Sequence, residues 1–236
     1  VESVLQIEST NEGINPEDPL ISSRGDDVLG FCQMLEGLRL VQVRAPPFSG
    51  KTGLRQLLAR HLRRDPNVRV VEVSLVKVPI SASADQVFQT VEGQTWSQIA
   101  EDSRHRKTIV LLDEAQNSYE VKKEDGSRED PQLFREFWKD AKAIVEEPSG
   151  SDRRLYMVLF CAYGGGDITN LVTPFAVPDN RQIHLAPVGK DKPGLLLTEN
   201  EFDKIVSTFG SLYWGLGDRV ADYIRTITGR HVGMVK

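Results

Sequence analysis

Leu38-Arg39-Leu40-Val41-Gln42-Val43-Arg44-Ala45-Pro46-Pro47-Phe48-Ser49-Gly50-Lys51-Thr52 is the stretch on which the fold turns. Its first six residues alternate in character and carry β-branched valines, which predicts a strand over 38–43. Ala45 to Gly50, with two prolines and a glycine, suits neither helix nor strand and is expected to be a loop. From Lys51 to Arg64, Leu54, Leu57, Leu58 and Leu62 recur at helical spacing. A strand, a glycine-bearing loop and a helix in that order turn loop N–H groups and the positive helix end toward one point. That arrangement suits an anion.

The same residues form a Walker A pattern, with Ala45 in the place of the first glycine. The pattern predicts that Ala45, Pro46, Pro47, Phe48, Ser49, Gly50, Lys51, Thr52 and Gly53 line the phosphates of a nucleoside triphosphate, ATP first and GTP as the alternative. Gly50 lets the backbone approach closely, Lys51 puts a point charge on the β- and γ-phosphates, and the Thr52 hydroxyl is expected to ligate Mg2+. A second motif follows about sixty residues later. Thr108-Ile109-Val110-Leu111-Leu112 is wholly apolar, as a parallel strand covered on both faces must be, and it ends in Asp113-Glu114. Ligands of open parallel sheets bind at that strand end. Asp113 is expected to hold the metal and Glu114 to act as general base on the attacking water. Alone, Asp-Glu after an apolar run equally suits a helix cap or a solvated turn; behind a Walker A loop it reads as the other half of one site. Gln116 either orients water or caps the next turn. Tyr163 either senses the γ-phosphate or packs over Gly164-Gly165-Gly166.

Working outward, further strands are expected over 68–73, 155–161 and 183–185, and helices over 25–37, 84–106, 132–146, 199–209 and 216–228. Val87, Val91, Trp96 and Ile99 are the expected core of the 84–106 helix. Residues 117–131 and 163–182 read as long loops. Strands alternating with helices give an α/β fold: a three-layer sandwich of about five parallel strands with a small C-terminal helical lid. The expected organisation is an irregular lead-in over 1–20, a core over 21–198 and the start of a lid over 199–236. A chain opening on Val1 and stopping at Lys236 inside a structured element is expected to be part of something longer.

Hydrophobic residues make up 39% and charged residues 27%, with a net charge of −5, which argues against a bulk electrostatic grip on nucleic acid. Cys32 and Cys161 sit in separate apolar runs and are expected to be buried thiols. His61 and His105 lack partners at metal-ligand spacing. No apolar run is long enough to cross a membrane. Arg153, Arg154 and Arg181 are weak candidates for an arginine reaching a neighbour's phosphate, and Arg60, Arg63 and Arg64 read as a solvated helix face.

Two outlying segments carry a resemblance. Ile21-Ser22-Ser23-Arg24-Gly25-Asp26-Asp27 resembles the arginine-containing segment that precedes Walker A in switch-type (STAND) and related archaeal ATPases, which implies that Arg24 helps seat the nucleotide. Thr228-Gly229-Arg230-His231-Val232-Gly233 is similar to the Thr-Gly-Gly-His lid motif of those proteins, with Arg230 in the place of the second glycine; it implies a sensing role for His231. With Arg44–Thr52, Leu112–Gln116, Ala162-Tyr163-Gly164 and Leu197–Phe202, the set resembles the NTPase domain of Crinkler-type effectors of oomycetes and fungi. That resemblance implies flanking domains, secretion into a host cell and often its nucleus, and a host protein or DNA target. Three functions are open at this point: an NTPase, a nucleotide-gated switch that self-associates with little turnover, and, against the acidic composition, a DNA-acting module.

Overall fold

Strand β1 (Leu40–Arg44) pairs with β4 (Leu155–Cys161) on one side and with β5 (Gln182–Ile183) on the other; β3 (Lys107–Asp113) lies between β4 and β2 (Val68–Ser74). All four pairings are parallel, giving one sheet in the order β2-β3-β4-β1-β5. The computed structural model describes residues 13–15, 21–79, 82–118, 134–146, 152–162, 176–186, 193–213 and 217–231.

Alternation along the strands sends successive side chains to opposite faces, and both faces are covered. Val71, Val73, Val110, Leu112, Met157 and Leu159 face one way. They pack under Val87 and Phe88 of α3 (Ala84–Glu92), Trp96 and Ile99 of α4 (Trp96–Asp102), and Phe137, Trp138 and Ala141 of α5 (Arg135–Glu146). Val41, Val43, Ile109, Leu111, Val158 and Phe160 face the other way, under Phe31 and Leu35 of α1 (Gly25–Leu38) and Leu54 and Leu58 of α2 (Lys51–Leu62). Two helical layers around a parallel sheet is the expected sandwich. The helices α6 (Glu199–Tyr213) and α7 (Asp218–Thr228) follow the last strand.

The structure corrects several boundaries. The expected helix over 84–106 is two helices, broken where Gly93 takes φ 72 and Thr95 caps α4. Both helices start with a capping box, Ser83 with Gln86 and Thr95 with Gln98, each satisfying two otherwise orphaned backbone donors. Val91, in the last turn of α3, is not in the core but 39% exposed. Helix α1 runs one residue past its expected end at Gly37, to Leu38, before Arg39 ends it in the left-handed region at φ 61, so β1 starts later than the alternation suggests. Strand β5 is only Gln182–Ile183, preceded by a single 3-10 turn over Asp179–Arg181. Cys161 is buried but Cys32 is only half-buried; neither is in a disulfide, and burial pushes the Cys32 thiol up. Among the described residues no helix is long and apolar enough to cross a membrane. The lead-in apart from 13–15, most of the 117–131 loop, and Tyr163 with its neighbouring glycines lie outside the described residues.

Arg24 ties the start of α1 to the segment before α6. Its guanidinium is 4% exposed and donates to the carbonyls of Gly194 (2.7 Å), Leu195 (3.1 Å) and Leu196 (3.3 Å), while pairing with Asp27 at 2.8 Å. Desolvation pushes the Asp27 carboxyl up in spite of that neighbour. Ser22 adds a hydrogen bond to Glu201 at 3.0 Å. Truncating Arg24 leaves three carbonyls and a carboxylate unpartnered together. Arg24→Ala is therefore expected to cost about 3 kcal/mol of unfolding free energy, the scale for breaking a buried pair; urea denaturation reads it directly.

Candidate functional site

The C-terminal ends of β1 and β3 stand on either side of the end of β4. The loop that leaves β1 is anchored at its first residue, where the Ala45 N–H donates to the Cys161 carbonyl at 3.2 Å. Gly50, at φ 88, then turns the chain into α2, a backbone value that favours glycine. Lys51 opens the helix and is 5% exposed; its Nζ donates to the carbonyls of Ala45 (3.0 Å) and Pro46 (2.9 Å). Burial draws its pKa down, against the attraction of Glu114 and Asp113. Ser49 Oγ is buried with no hydrogen-bond partner, a polar atom inside the loop that a bound oxyanion would satisfy.

Asp113 comes from the end of β3 to meet α2. Thr52 Oγ1 donates to Asp113 Oδ2 at 3.1 Å, joining residues 61 apart in sequence, and Asp113 is 2% exposed. Asp113 Oδ1 accepts the Glu114 N–H at 3.0 Å. Glu114 itself sits at φ 53, in the left-handed region, where the chain turns from β3 into a 3-10 turn over Ala115–Ser118. Its carboxylate accepts a hydrogen bond from Gln116 Nε2, and Gln116 Oε1 accepts from the Ala162 N–H at 3.1 Å. Gln116 therefore does not merely cap a turn: it ties Glu114 to the end of β4. The sequence offered both roles for it and no signal for this one, because the partner lies 46 residues on.

A hydroxyl and a carboxylate fit Mg2+, which takes a few hard protein oxygens and completes its shell with water and phosphate. Among the described residues no group of three or more His, Cys, Asp or Glu could hold a metal unaided, so His61 and His105 belong to no such cluster.

Phe48 stands apart from its neighbours. It lies in the left-handed region at φ 62 and its side chain is 85% exposed, so neither backbone preference nor burial accounts for it. Phe48→Gly is expected to raise stability by about 0.5–1 kcal/mol, the released strain less the extra entropy a glycine loses on folding. A thermal melt beside wild type checks it.

Other expected residues fall elsewhere. Arg24 contacts the 194–196 carbonyls, as described above, and among the described residues no hydrogen bond or ion pair joins its side chain to the 45–50 loop. Arg181 is buried and donates to the Leu38 and Val145 carbonyls, and Arg153 pairs with Asp140 at 2.7 Å; both hold the fold together. After α7, Arg230 takes φ 64, which explains why a glycine suits that place in the resembled motif; its guanidinium pairs with Glu199 at 3.1 Å. His231 follows, its N–H on the Thr228 carbonyl at 2.9 Å and its buried Nδ1 without a hydrogen-bond partner. Missed from sequence was Arg55, whose Nε lies 3.5 Å from Asp113 Oδ2.

No family model and no curated protein sequence matches the chain. Among solved structures it is similar to the Walker-type ATPase PABY2304 of Pyrococcus abyssi, at 10% identity and a TM-score of 0.55, covering 90% of this chain and 65% of that one. It is also similar to the ORC2 protein of Aeropyrum pernix, solved as ADPNP-ADP complexes, at 13% identity and a TM-score of 0.47, covering 90% of this chain and 58% of that one. The chain thus spans less than two thirds of the length of either. The first likeness shows the fold: an α/β sandwich of the P-loop type.

Proposed function

We propose that this domain binds ATP, or GTP, with Mg2+ at the 45–53 loop and hydrolyses it. The observation that carries the reading is the Thr52–Asp113 hydrogen bond, which brings the two Walker-type segments together at the carboxyl edge of the sheet. Loop N–H groups and the α2 N-terminus would cradle the phosphates. Lys51 would exchange its two carbonyl acceptors for phosphate oxygens, and Ser49 Oγ would gain a partner. Thr52 and Asp113 would hold Mg2+, which when bound would supply charge neutralisation at the phosphate oxygens. Glu114 accepts a proton from water as the water oxygen bonds to the γ-phosphorus and the bond to the leaving nucleoside diphosphate oxygen breaks. Gln116 sets where that carboxylate stands.

The same Gln116 bridge favours a second reading, a nucleotide-gated switch with slow turnover, since it holds Glu114 to β4 rather than leaving it free to face water. In that reading α6 and α7 act as a lid, with His231 reporting on the nucleotide and self-association as the output. The motif set supports placing the domain among Crinkler-type effectors, between flanking domains and delivered to a host cell. Phosphate release from ATP and from GTP, with and without Mg2+, separates the readings. Mg2+-dependent release above that of Lys51→Ala supports the enzyme. Binding without release supports the switch. Wild type that binds neither nucleotide overturns both.

A further inference from the structure

We infer that Arg55 is a positioning residue that sets how tightly the site holds its divalent cation, by serving as a built-in rival for the Asp113 carboxylate. The inference rests on the nucleotide reading above and deepens it. Position 55 is one helical turn on from Lys51 and three residues from Thr52, so the three share a face of α2. Arg55 Nε lies 3.5 Å from Asp113 Oδ2, the same oxygen that accepts from Thr52 Oγ1 at 3.1 Å. Arg55 Nη1 lies 3.8 Å from Glu72 Oε2 on the edge strand β2. The guanidinium is 12% exposed, between carboxylates that are 3% and 19% exposed.

Two details show that this is not an ordinary structural ion pair. Arg55 Nε is buried and has no hydrogen-bond partner, so it stands in charge range of Asp113 without the alignment that would lock it there. Glu72 already has a close partner, Arg63 Nη1 at 2.6 Å, and so does not require Arg55. Arg55 therefore lies between two acids and is committed to neither. A cation arriving at Thr52 and Asp113 would meet a positive charge already facing the same oxygen, in surroundings that screen it only in part. The sidestep available to the guanidinium is toward Glu72.

The charge decides the sign of the test. Removing it with Arg55→Gln is expected to tighten cation binding about tenfold, the scale of one charge a few ångströms from another in partly screened surroundings. Arg55→Lys keeps the charge and is expected to stay near wild type. Glu72→Gln removes the alternative anchor, commits Arg55 to Asp113, and is expected to weaken cation binding severalfold. The measurement is a titration of Mn2+ into protein with ATP, followed by the loss of the free Mn2+ electron paramagnetic resonance signal, which reads binding without turnover. Opposite shifts in Arg55→Gln and Glu72→Gln support the inference. An unchanged or weakened Mn2+ affinity in Arg55→Gln overturns it. Should Arg55→Gln fail to fold, Glu72→Gln decides: weaker binding supports the inference and unchanged or tighter binding overturns it. Wild type that binds Mn2+ with ATP no better than Lys51→Ala overturns the nucleotide reading, and this inference with it.

Discussion

Glu114→Gln is expected to lower phosphate release from ATP by about a hundredfold to ten-thousandfold while leaving nucleotide binding intact, the range that a positioned general base contributes. The substitution changes one property and preserves the rest. An amide matches the carboxylate in size, so the turn at φ 53 and the N–H bond to Asp113 Oδ1 have no reason to move. The amide oxygen can still accept from Gln116 Nε2, so the tie to β4 through Ala162 remains. What is lost is the capacity to take a proton. Single-turnover release and equilibrium binding of a fluorescent ATP analogue separate chemistry from affinity. Loss of both together would mean that Glu114 shapes the pocket rather than the reaction. Retained turnover would move the base elsewhere and remove the enzymatic role given to this residue.

The Walker-type halves of the site were legible because each is local. The loop over 45–50 and the strand end at Asp113-Glu114 are each a short continuous run, and parallel strand ends must converge on one edge, where Thr52 meets Asp113. The break at 93–95 was also legible, in Gly93 and the capping pairs Ser83 with Gln86 and Thr95 with Gln98, but a reading based on apolar spacing alone passes over caps. Arg55 was readable only in part. Helical spacing puts it on the face of Lys51 and Thr52, yet nothing in sequence says that this face meets Asp113 and Glu72. Arg24 was expected from the resemblance to help seat the nucleotide; the partners its side chain has, three carbonyls some 170 residues on, bear no mark in sequence, because any residue supplies a carbonyl. Side chains that bind backbone across long separations are where sequence reading stops.

Lys51→Met is expected to do two opposite things: raise the stability of the protein measured without nucleotide by about 1 kcal/mol, and abolish stabilisation by ATP with Mg2+. Burial draws the Lys51 pKa down despite the nearby Glu114 and Asp113 carboxylates, so the desolvation of its charge outweighs its attractions. The sign follows from proton counting. A folded-state pKa below the ordinary lysine value of 10.5 means that the unfolded chain binds that proton more tightly. Stability is therefore penalised at neutral pH, and the penalty is relieved as pH rises through the folded-state value toward 10.5. Methionine keeps the apolar stem and removes the charge, at the cost of the Nζ bonds to the Ala45 and Pro46 carbonyls. Nucleotide at a hundred times its dissociation constant adds about 2.7 kcal/mol to wild type and nothing to the variant. The order of the two melting temperatures should thus reverse: Lys51→Met above wild type alone, and below it with ATP and Mg2+. Wild type should also gain on the variant as pH rises into the alkaline range. A variant that melts below wild type under both conditions would show that the buried ammonium supports the loop through its carbonyl bonds. The reversal would instead identify Lys51 as a charge held at a cost to stability, offset when a triphosphate is bound.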